Sequence, residues 1–179
     1  TGSICGFING FIIAKGKLPP FIATLGMMGI ARGAALIITK GVPVFGLPTG
    51  FGELANGKLF DLIPFPILIV ILFALLMHVI LNQFSFGRHT YAIGGNFEAA
   101  RLAGIKVDLH LIKTYALAGF FAGIGGIILA SRLSTGQPTA GTGYELDVVA
   151  ACVIGGASLS GGAGTIAGAM IGALIIGIL

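Results

Sequence analysis

The sequence predicts an all-α fold, a glycine-rich polytopic bundle of transmembrane helices. Apolar residues make up 56% of the 179 residues and charged residues 9%, against roughly 45–50% and about 25% in soluble domains. The 10 basic and 6 acidic residues are too few to cover the surface of a soluble domain of this length. Glycine, at 31 residues, allows apolar helices to approach closely in lipid.

Three stretches have the length and composition of membrane spans. The clearest is Leu62 to Gln83, whose 22 consecutive uncharged residues reach about 33 Å as a helix. Thr114 to Ser131 is bounded by basic residues, and Leu18 to Thr39 is a third span. The residues up to Ala14 resemble the end of one more helix. Because the chain starts at Thr1 and stops within an apolar run at Leu179, we expect a fragment of a longer chain that forms a single transmembrane domain over residues 1–179.

The C-terminal part is uncharged for 32 residues, from Val148 to Leu179, which is too long for one untilted crossing. Clustered glycine and serine at Gly155 to Gly164 interrupt the apolar run. We therefore expect a broken or re-entrant helix near residues 155–164, since irregular backbone at membrane depth must be buried in protein or line a cavity. Glycines at four-residue spacing are expected to pack helices against neighbours; these are Gly119 and Gly123 in one span and Gly164, Gly168 and Gly172 near the C-terminus.

Lys and Arg residues predict the orientation of the chain. The turn at Lys15 to Lys17 and the loop of residues 84–113 contain six basic residues, whereas Lys40 to Asp61 and Arg132 to Asp147 contain three. Positive loops face the cytoplasm, so residues 84–113 are predicted to form a cytoplasmic loop. Spread along loops without interleaved stacking aromatics, the basic residues do not indicate a nucleic-acid partner.

Within this loop, "NFEAARLAGI" predicts a short helix. Asn96 is a capping residue, Glu98 stands in the first turn, and Gly104 ends the helix. So short a helix is unstable alone. It either lies against its own bundle or docks on a soluble partner, and composition does not separate these two interpretations.

Several long blocks resemble one family. "EAARLAG", Glu98 to Gly104, fits the EAA-x3-G pattern of the permease subunits of ATP-binding cassette importers. The blocks "LPPFIATLGMMGIARG", "YAIGGNFEAARLAGIKVD", "SRLSTGQPTAGTGYELD" and "VIGGASLSGGAGTIAGAMIGALIIG" resemble, in the same order, the ribose/xylose-type sugar permeases of bacteria. The resemblance covers nearly the whole chain from Asn9 onward.

The resemblance implies a function and a set of partners. In this family a dimer of permease subunits forms the pathway in the inner membrane, two cassette ATPase subunits bind ATP and Mg on the cytoplasmic side, and a periplasmic protein delivers the sugar. The chain is then expected to carry a monosaccharide, with a pentose such as ribose as the expected cargo, by ATP-driven alternating access, and to bind no cofactor itself. The coupling role falls on Gly94, Gly95, Asn96, Glu98, Ala99, Ala100, Arg101 and Gly104.

A second group of polar residues has two interpretations. Arg32 costs about 2.5–3.5 kcal/mol at a bilayer centre, so it either lines the interior or fills a structural hydrogen-bonding role. The segment from Ser134 to Asp147 is predicted to face outward. Its neutral polar side chains suit contact with a sugar or with the binding protein, although turn chemistry explains the same composition; they are Gln137, Thr139, Thr142 and Tyr144.

Other classes of function fit the sequence less well. "GELANGKL", Gly52 to Leu59, lacks the hydroxyl that a P-loop requires after its lysine. "GAGTIA", Gly162 to Ala167, lacks the strand that precedes a dinucleotide-binding turn. His89 and His110 are interpreted as loop residues without metal-ligand spacing, and we expect neither catalytic residues nor a metal site. An ion-coupled secondary transporter usually carries carboxylates within the bundle; it remains the alternative, together with a channel for a small polar solute.

Overall fold

The computed structural model describes residues 1–59 and 63–179. Its regular secondary structure in these ranges is almost all helical, which confirms the predicted all-α class. The helices are α1 Gly2–Gly16, α2 Pro20–Thr39, α3 Thr49–Asn56, α4 Phe65–Gln83, α5 Ser85–Gly95, α6 Phe97–Leu102, α7 Val107–Leu133, α8 Tyr144–Ile154 and α9 Ile166–Ile178. The short antiparallel strands β1 Lys58–Leu59 and β2 Ile63–Pro64 pair Lys58 with Pro64 and Leu59 with Ile63.

Helices α2, α4 and α7 are long and apolar enough to cross a membrane. The span expected to begin at Leu62 begins as a helix at Phe65, since Pro64 belongs to a strand; Leu62 and Asp61 lie outside the described residues. Helix α7 begins seven residues before Thr114. Hydropathy missed this extension because the added turns carry charges, although acidic Asp108 in the first turn favours a helix N-terminus.

The chain divides into two compact units. The first comprises Thr1–Leu68 and Leu111–Ala140, and the second Ile69–His110 and Gly141–Leu179. In the first unit α1 packs antiparallel on α7, because Gly2 lies beside Gly119, Gly6 beside Tyr115 and Gly10 beside Ile112.

The two segments predicted to face outward meet in the first unit. The backbone amide of Val44 donates to the carbonyl of Gly136, and the amide of Gly136 donates back to Val44, both at 2.9 Å. Nearby, Ser131 is fully buried; its hydroxyl donates to the carbonyl of Phe51 at 2.6 Å and accepts from the amide of Ala55 at 3.0 Å. Helix α3 is thereby attached to the end of α7.

The second unit contains the predicted helix break. Helix α8 ends at Ile154 and α9 begins at Ile166, so the break at residues 155–164 is confirmed. At about 17 Å, α8 alone does not span a hydrocarbon core of about 30 Å. The helices run antiparallel, with Gly155 against Gly168 and Ala151 against Gly172. We call α8, residues 155–165 and α9 the C-terminal hairpin.

Candidate coupling site

The short helix α6 is joined to α5 by a single residue, Asn96. The amide of Asn96 donates to the carbonyl of Ala92 at 3.0 Å and so ends α5. Its side-chain oxygen accepts from the amide of Ala99 at 2.9 Å and so caps α6. Because one residue closes both helices, no flexible linker separates them. The capping role expected from the sequence is confirmed.

Helix α6 has one covered side chain and several open ones. Ala100 is only 4% exposed, whereas Leu102 is 89% exposed. The exposed side chains of Glu98, Ala99 and Arg101 accompany Leu102. Leu102 adds exposed apolar surface beside the charged side chains of Glu98 and Arg101. Ala100 therefore marks the packed side of α6, and Leu102 marks the open side.

The chain reverses direction directly after α6. Gly104 has φ +84°, a left-handed conformation that favours glycine. Its amide donates to the carbonyl of Arg101 at 3.0 Å, and the amide of Ile105 donates to that of Ala100 at 3.1 Å. These bonds occupy the terminal carbonyls of α6, and α7 begins at the buried Val107.

The first turn of α7 is held against α5 by a histidine. His110 is 8% exposed, its Nε2 lies 2.9 Å from Thr90 Oγ1, and its ring centroid lies 4.7 Å from that of Phe86. The Thr90 hydroxyl donates its one proton to the carbonyl of Phe86 at 2.9 Å, so it accepts from His110 Nε2–H. His89 and His110 were interpreted as loop residues; that interpretation is wrong, since both stand in helices.

On another face, α5 meets the turn of the C-terminal hairpin. The Tyr91 hydroxyl donates to the carbonyl of Gly164 at 2.8 Å. Three residues later, the backbone of Gly94 touches Gly161 and Gly162 so closely that a Cβ at Gly94 would overlap the amide nitrogen of Gly162. Gly95 is different, because a Cβ there would meet no atom within 4 Å among the described residues.

The predicted pathway residues are divided between the units: Arg32, Gln137 and Thr139 belong to the first, and Thr142 and Tyr144 to the second. Arg32 is half-buried on α2. Gln137 Nε2 lies 3.5 Å from Thr139 Oγ1 in the segment after α7, and Thr142 follows in the same segment. Tyr144 was placed in a loop, which is wrong: it is the first residue of α8, where Glu145 and Asp147 suit the positive end of the helix dipole.

The packing glycines occupy different kinds of contact. Gly119 lies against the backbone of Gly2, and a Cβ at Gly123 would lie 3.8 Å from Gly2. Gly168 and Gly172 belong to α9 and lie where it packs against α8. Gly164 was grouped with them, but it precedes α9 and has φ +149°, because its backbone belongs to the hairpin turn.

Two nucleotide-like segments have the wrong local structure for phosphate binding. Gly52 to Asn56, within "GELANGKL", lie in helix α3, so their amides do not form a phosphate-binding loop. "GAGTIA" joins a loop to α9 rather than following a strand. No group of three or more His, Cys, Asp or Glu residues that could hold a metal ion occurs within residues 1–59 and 63–179.

Sequence reasoning did not single out the residues that brace the coupling helix. Tyr91 lay within a quoted block without a role, and Thr90 and Leu102 had none. A signal for Leu102 was present, since a leucine between Arg101 and Ala103 in a charged loop has no membrane to enter. The partners of Tyr91 and Thr90 lie 73 and 20 residues away along the chain, and no local pattern indicates such contacts.

The whole chain is similar to known permease proteins. Residues 1–179 match the family described as the permease component of branched-chain amino acid transport systems. The ribose import permease protein RbsC of Bacillus subtilis strain 168 is 50% identical over 172 residues, which cover 96% of this chain and 53% of that protein. RbsC of Escherichia coli K12 is 46% identical over 186 residues, covering 99% and 56%.

Relatives named for other sugars are nearly as similar. The L-arabinose transport system permease protein AraH of Escherichia coli K12 is 47% identical over 170 residues, covering 95% of this chain and 52% of that protein. The chain thus spans about half the length of the curated relatives it matches. No solved structure matches at a significant level. With its apolar helices and this match along its full length, the chain belongs to the permease-component family of the branched-chain amino acid transport systems, as a multi-pass protein of the bacterial inner membrane.

Proposed function

We propose that this chain is part of the transmembrane subunit of an ATP-driven importer, with α6 as the helix on which a separate ATPase docks. The observation that carries the proposal is the capped helix α6, which has Ala100 buried beneath it and Leu102 exposed. A leucine and small alanines offer a surface that a soluble partner can cover closely. Arg101 and Glu98 at the rim add charges that orient the partner rather than bind it strongly.

ATP hydrolysis belongs to the ATPase subunit in this proposal. The ATP and Mg are bound by that partner, and the permease binds no cofactor. Closure of the ATPase pair displaces α6, and the helices continuous with it carry the displacement into the membrane. Gly94, Gly95, Asn96, Glu98, Ala99, Ala100, Arg101 and Gly104 together form this coupling segment. Asn96 and Gly104 shape it, whereas Ala99 and Arg101 lie on its exposed surface.

The orientation of α1 relative to α7 supports a cytoplasmic position for α6. Because these helices are antiparallel, Lys15 at the end of α1 lies toward the end of α7 that carries Ile112 and Lys113. The basic residues of two separate segments therefore lie toward one end of the same helix, as positive-inside topology requires. The bridge between Val44 and Gly136 likewise joins the two segments proposed to face the periplasm.

The proposed cargo is a monosaccharide, with ribose as the first choice. Relatives named for ribose and for arabinose are 46–50% identical to this chain, whereas the family description refers to branched-chain amino acids. We place a periplasmic sugar-binding protein over the outward segments, and a second permease subunit completes the pathway in the lipid bilayer. Arg32, Gln137, Thr139, Thr142 and Tyr144 are the candidates for lining the pathway or meeting the binding protein.

Docking is tested by changing Leu102 in the intact permease and measuring the affinity of the purified ATPase. Leu102→Asp puts a charge into the proposed contact, and we expect affinity to fall by about a hundredfold, the range of an interface hot spot. Leu102→Met should retain affinity. Leu146→Asp is the matched control, since Leu146 is also exposed but stands in the first turn of α8. Unchanged affinity of the Leu102→Asp variant would contradict docking at α6.

Cargo and energy source are tested together by uptake into vesicles that contain the intact permease, its ATPase and its binding protein. We expect uptake of labelled ribose to require ATP inside the vesicle. Unlabelled arabinose, galactose and leucine serve as competitors. Uptake driven by an ion gradient without ATP would favour an ion-coupled transporter, and passive flux without either would favour a channel.

A further inference from the structure

Helix α5 contacts the turn of the C-terminal hairpin within the second unit, and this contact lies directly before α6. The Tyr91 hydroxyl and the Gly94 backbone are three residues apart, on one face of α5, and both meet residues 161–164. One is a hydrogen bond and the other is direct contact between two backbones. Together they attach α5 at two points along about one helical turn.

The contact depends on glycine on both sides. Gly161 and Gly162 have φ +91° and +76°, conformations in which other residues are strained. A Cβ at Gly162 would lie 2.8 Å from the amide nitrogen of Gly95, and a Cβ at Gly161 would lie 3.0 Å from the carbonyl oxygen of Gly94. A side chain on either side of this contact would therefore push α5 away from the turn.

The hairpin turn is held together by its own hydrogen bonds. The amide of Ser158 donates to the carbonyl of Ala163 at 2.9 Å, and the amide of Gly161 donates to Ser158 at 3.1 Å. The amide of Ala157 donates to Cys152 at 2.9 Å and so fixes the turn to the end of α8. At the other end, Thr165 caps α9 by accepting from the amide of Gly168 at 3.0 Å. A displacement of the turn is therefore passed to both helices.

We propose that Tyr91 and Gly94 are positioning residues that join the coupling helix to the C-terminal hairpin. Asn96 closes α5 and α6 without a linker, so a movement of α6 moves the end of α5. The end of α5 in turn carries the hairpin turn with it. The C-terminal hairpin is then a directly driven element of the transport cycle. This inference rests on the proposed function, since it requires a partner that moves α6.

The test compares three quantities in vesicles containing the intact permease, its ATPase and its binding protein: ATPase affinity, the rate of ATP hydrolysis, and ribose taken up per ATP hydrolysed. Gly94→Ala adds a methyl group where the hairpin backbone lies. Uptake per ATP by this variant should fall by about tenfold or more, because a movement of α6 no longer reaches the hairpin. Tyr91→Phe, which lies before the coupling segment, should keep ATPase affinity within about twofold of wild type, because the exposed side of α6 is unchanged.

Tyr91→Phe is the milder variant and keeps the ring in place. It removes one hydrogen bond, so uptake per ATP should fall by about fivefold. In the double variant, uptake per ATP should fall no further than in Gly94→Ala alone, because both substitutions break the same contact between α5 and the hairpin turn. Ser160→Ala is the control in the same turn; its exposed hydroxyl makes no hydrogen bond within the described parts of the chain. It should keep the wild-type ratio.

Each outcome separates this inference from the proposed function. If Leu102→Asp retains ATPase affinity, or wild type binds no ATPase, the proposed function fails. If Leu102→Asp loses affinity while Gly94→Ala and Tyr91→Phe keep the wild-type uptake per ATP, the inference alone is overturned. Parallel loss of ATPase affinity in Gly94→Ala and Tyr91→Phe would also overturn it, because these residues would then act in docking. Should Gly94→Ala fail to fold, Tyr91→Phe decides the result.

Discussion

Helices α1 and α2 both carry glycines at helical spacing, yet they use them differently. On α1, Gly2, Gly6 and Gly10 lie against the backbone of α7, and a Cβ at Gly6 would overlap the carbonyl oxygen of Tyr115. On α2, a Cβ at Gly26, Gly29 or Gly33 would meet no atom within 4 Å in the described parts of the chain. The same pattern of small residues therefore marks a filled contact in one helix and an open face in the other.

The difference shows what a glycine pattern in a membrane sequence predicts. It indicates that a helix has a face on which another backbone is able to approach closely. It does not identify the partner, because the approach depends on helices that are remote in sequence. On α1 the partner is α7, more than a hundred residues away; on α2 no described atom lies within 4 Å of a Cβ at the three glycines.

The largest expected effect comes from filling the α1–α7 contact. Gly6→Leu forces a branched side chain between two touching backbones, and we expect a loss of stability of about 3 kcal/mol or more. Thermal unfolding of the intact protein in detergent measures it. Gly29→Leu is the matched control on α2 and should change the unfolding temperature far less. Equal losses in the two variants would show that Gly29 on α2 is packed as closely as Gly6 on α1.

A second test makes the same comparison within one helix, α9. Gly172 touches the carbonyl of Ala151, whereas a Cβ at Gly177 would meet nothing within 4 Å among the described residues. Gly172→Ala should lower the free energy of unfolding by about 2 kcal/mol through overpacking. The Gly177→Ala variant should be neutral or slightly more stable. A larger loss at Gly177 than at Gly172 would show that the antiparallel register of α8 and α9 is wrong.

A buried hydroxyl group also stabilises the first unit. Ser131→Ala leaves the carbonyl of Phe51 and the amide of Ala55 without their partner, and we expect a loss of about 1.5 kcal/mol. Hydrogen exchange should rise in α3, at residues 49–56, while α1 remains as protected as in wild type. Unchanged exchange in α3 would show that Ser131 does not hold it.

The smallest expected effect concerns the open face of α2. Gly29→Ala removes backbone freedom without a collision, so stability should rise by about 0.5–1 kcal/mol. Chemical or thermal unfolding of the intact protein detects this change. A loss instead of a gain would mean that another chain or segment packs against Gly29 in the membrane, as a second permease subunit would.

The local features of this fold were predictable from sequence, whereas its long-range contacts were not. Hydropathy located α2, α4 and most of α7, and Asn96 and Gly104 marked the ends of α6 because caps and left-handed turns have residue preferences. Hydropathy did not predict the first turns of α7 and α8, because these turns carry charged residues. The bond from Tyr91 to Gly164 had no local signature, since it depends on how the hairpin turn meets α5.

The coupling residues divide in a way that sequence did not foresee. The EAA-x3-G pattern treats Ala99 and Ala100 alike, but Ala99 is exposed and Ala100 is buried. A helix of 3.6 residues per turn places adjacent residues on different faces, so only one of the two alanines is presented to a partner. Which one it is depends on the surface beneath α6.

Cysteine cross-linking between α6 and the ATPase tests whether the ATPase docks on this helix. Single cysteines are placed at Ala99 and, as the matched control, at Ala100 in the intact permease, against cysteines scanned over the ATPase, with and without ATP. We predict that Ala99→Cys cross-links to the ATPase in a nucleotide-dependent manner and that Ala100→Cys does not. Labelling of Ala99→Cys from the periplasm, with no cross-link to the ATPase, would contradict the proposed coupling and the orientation of the chain.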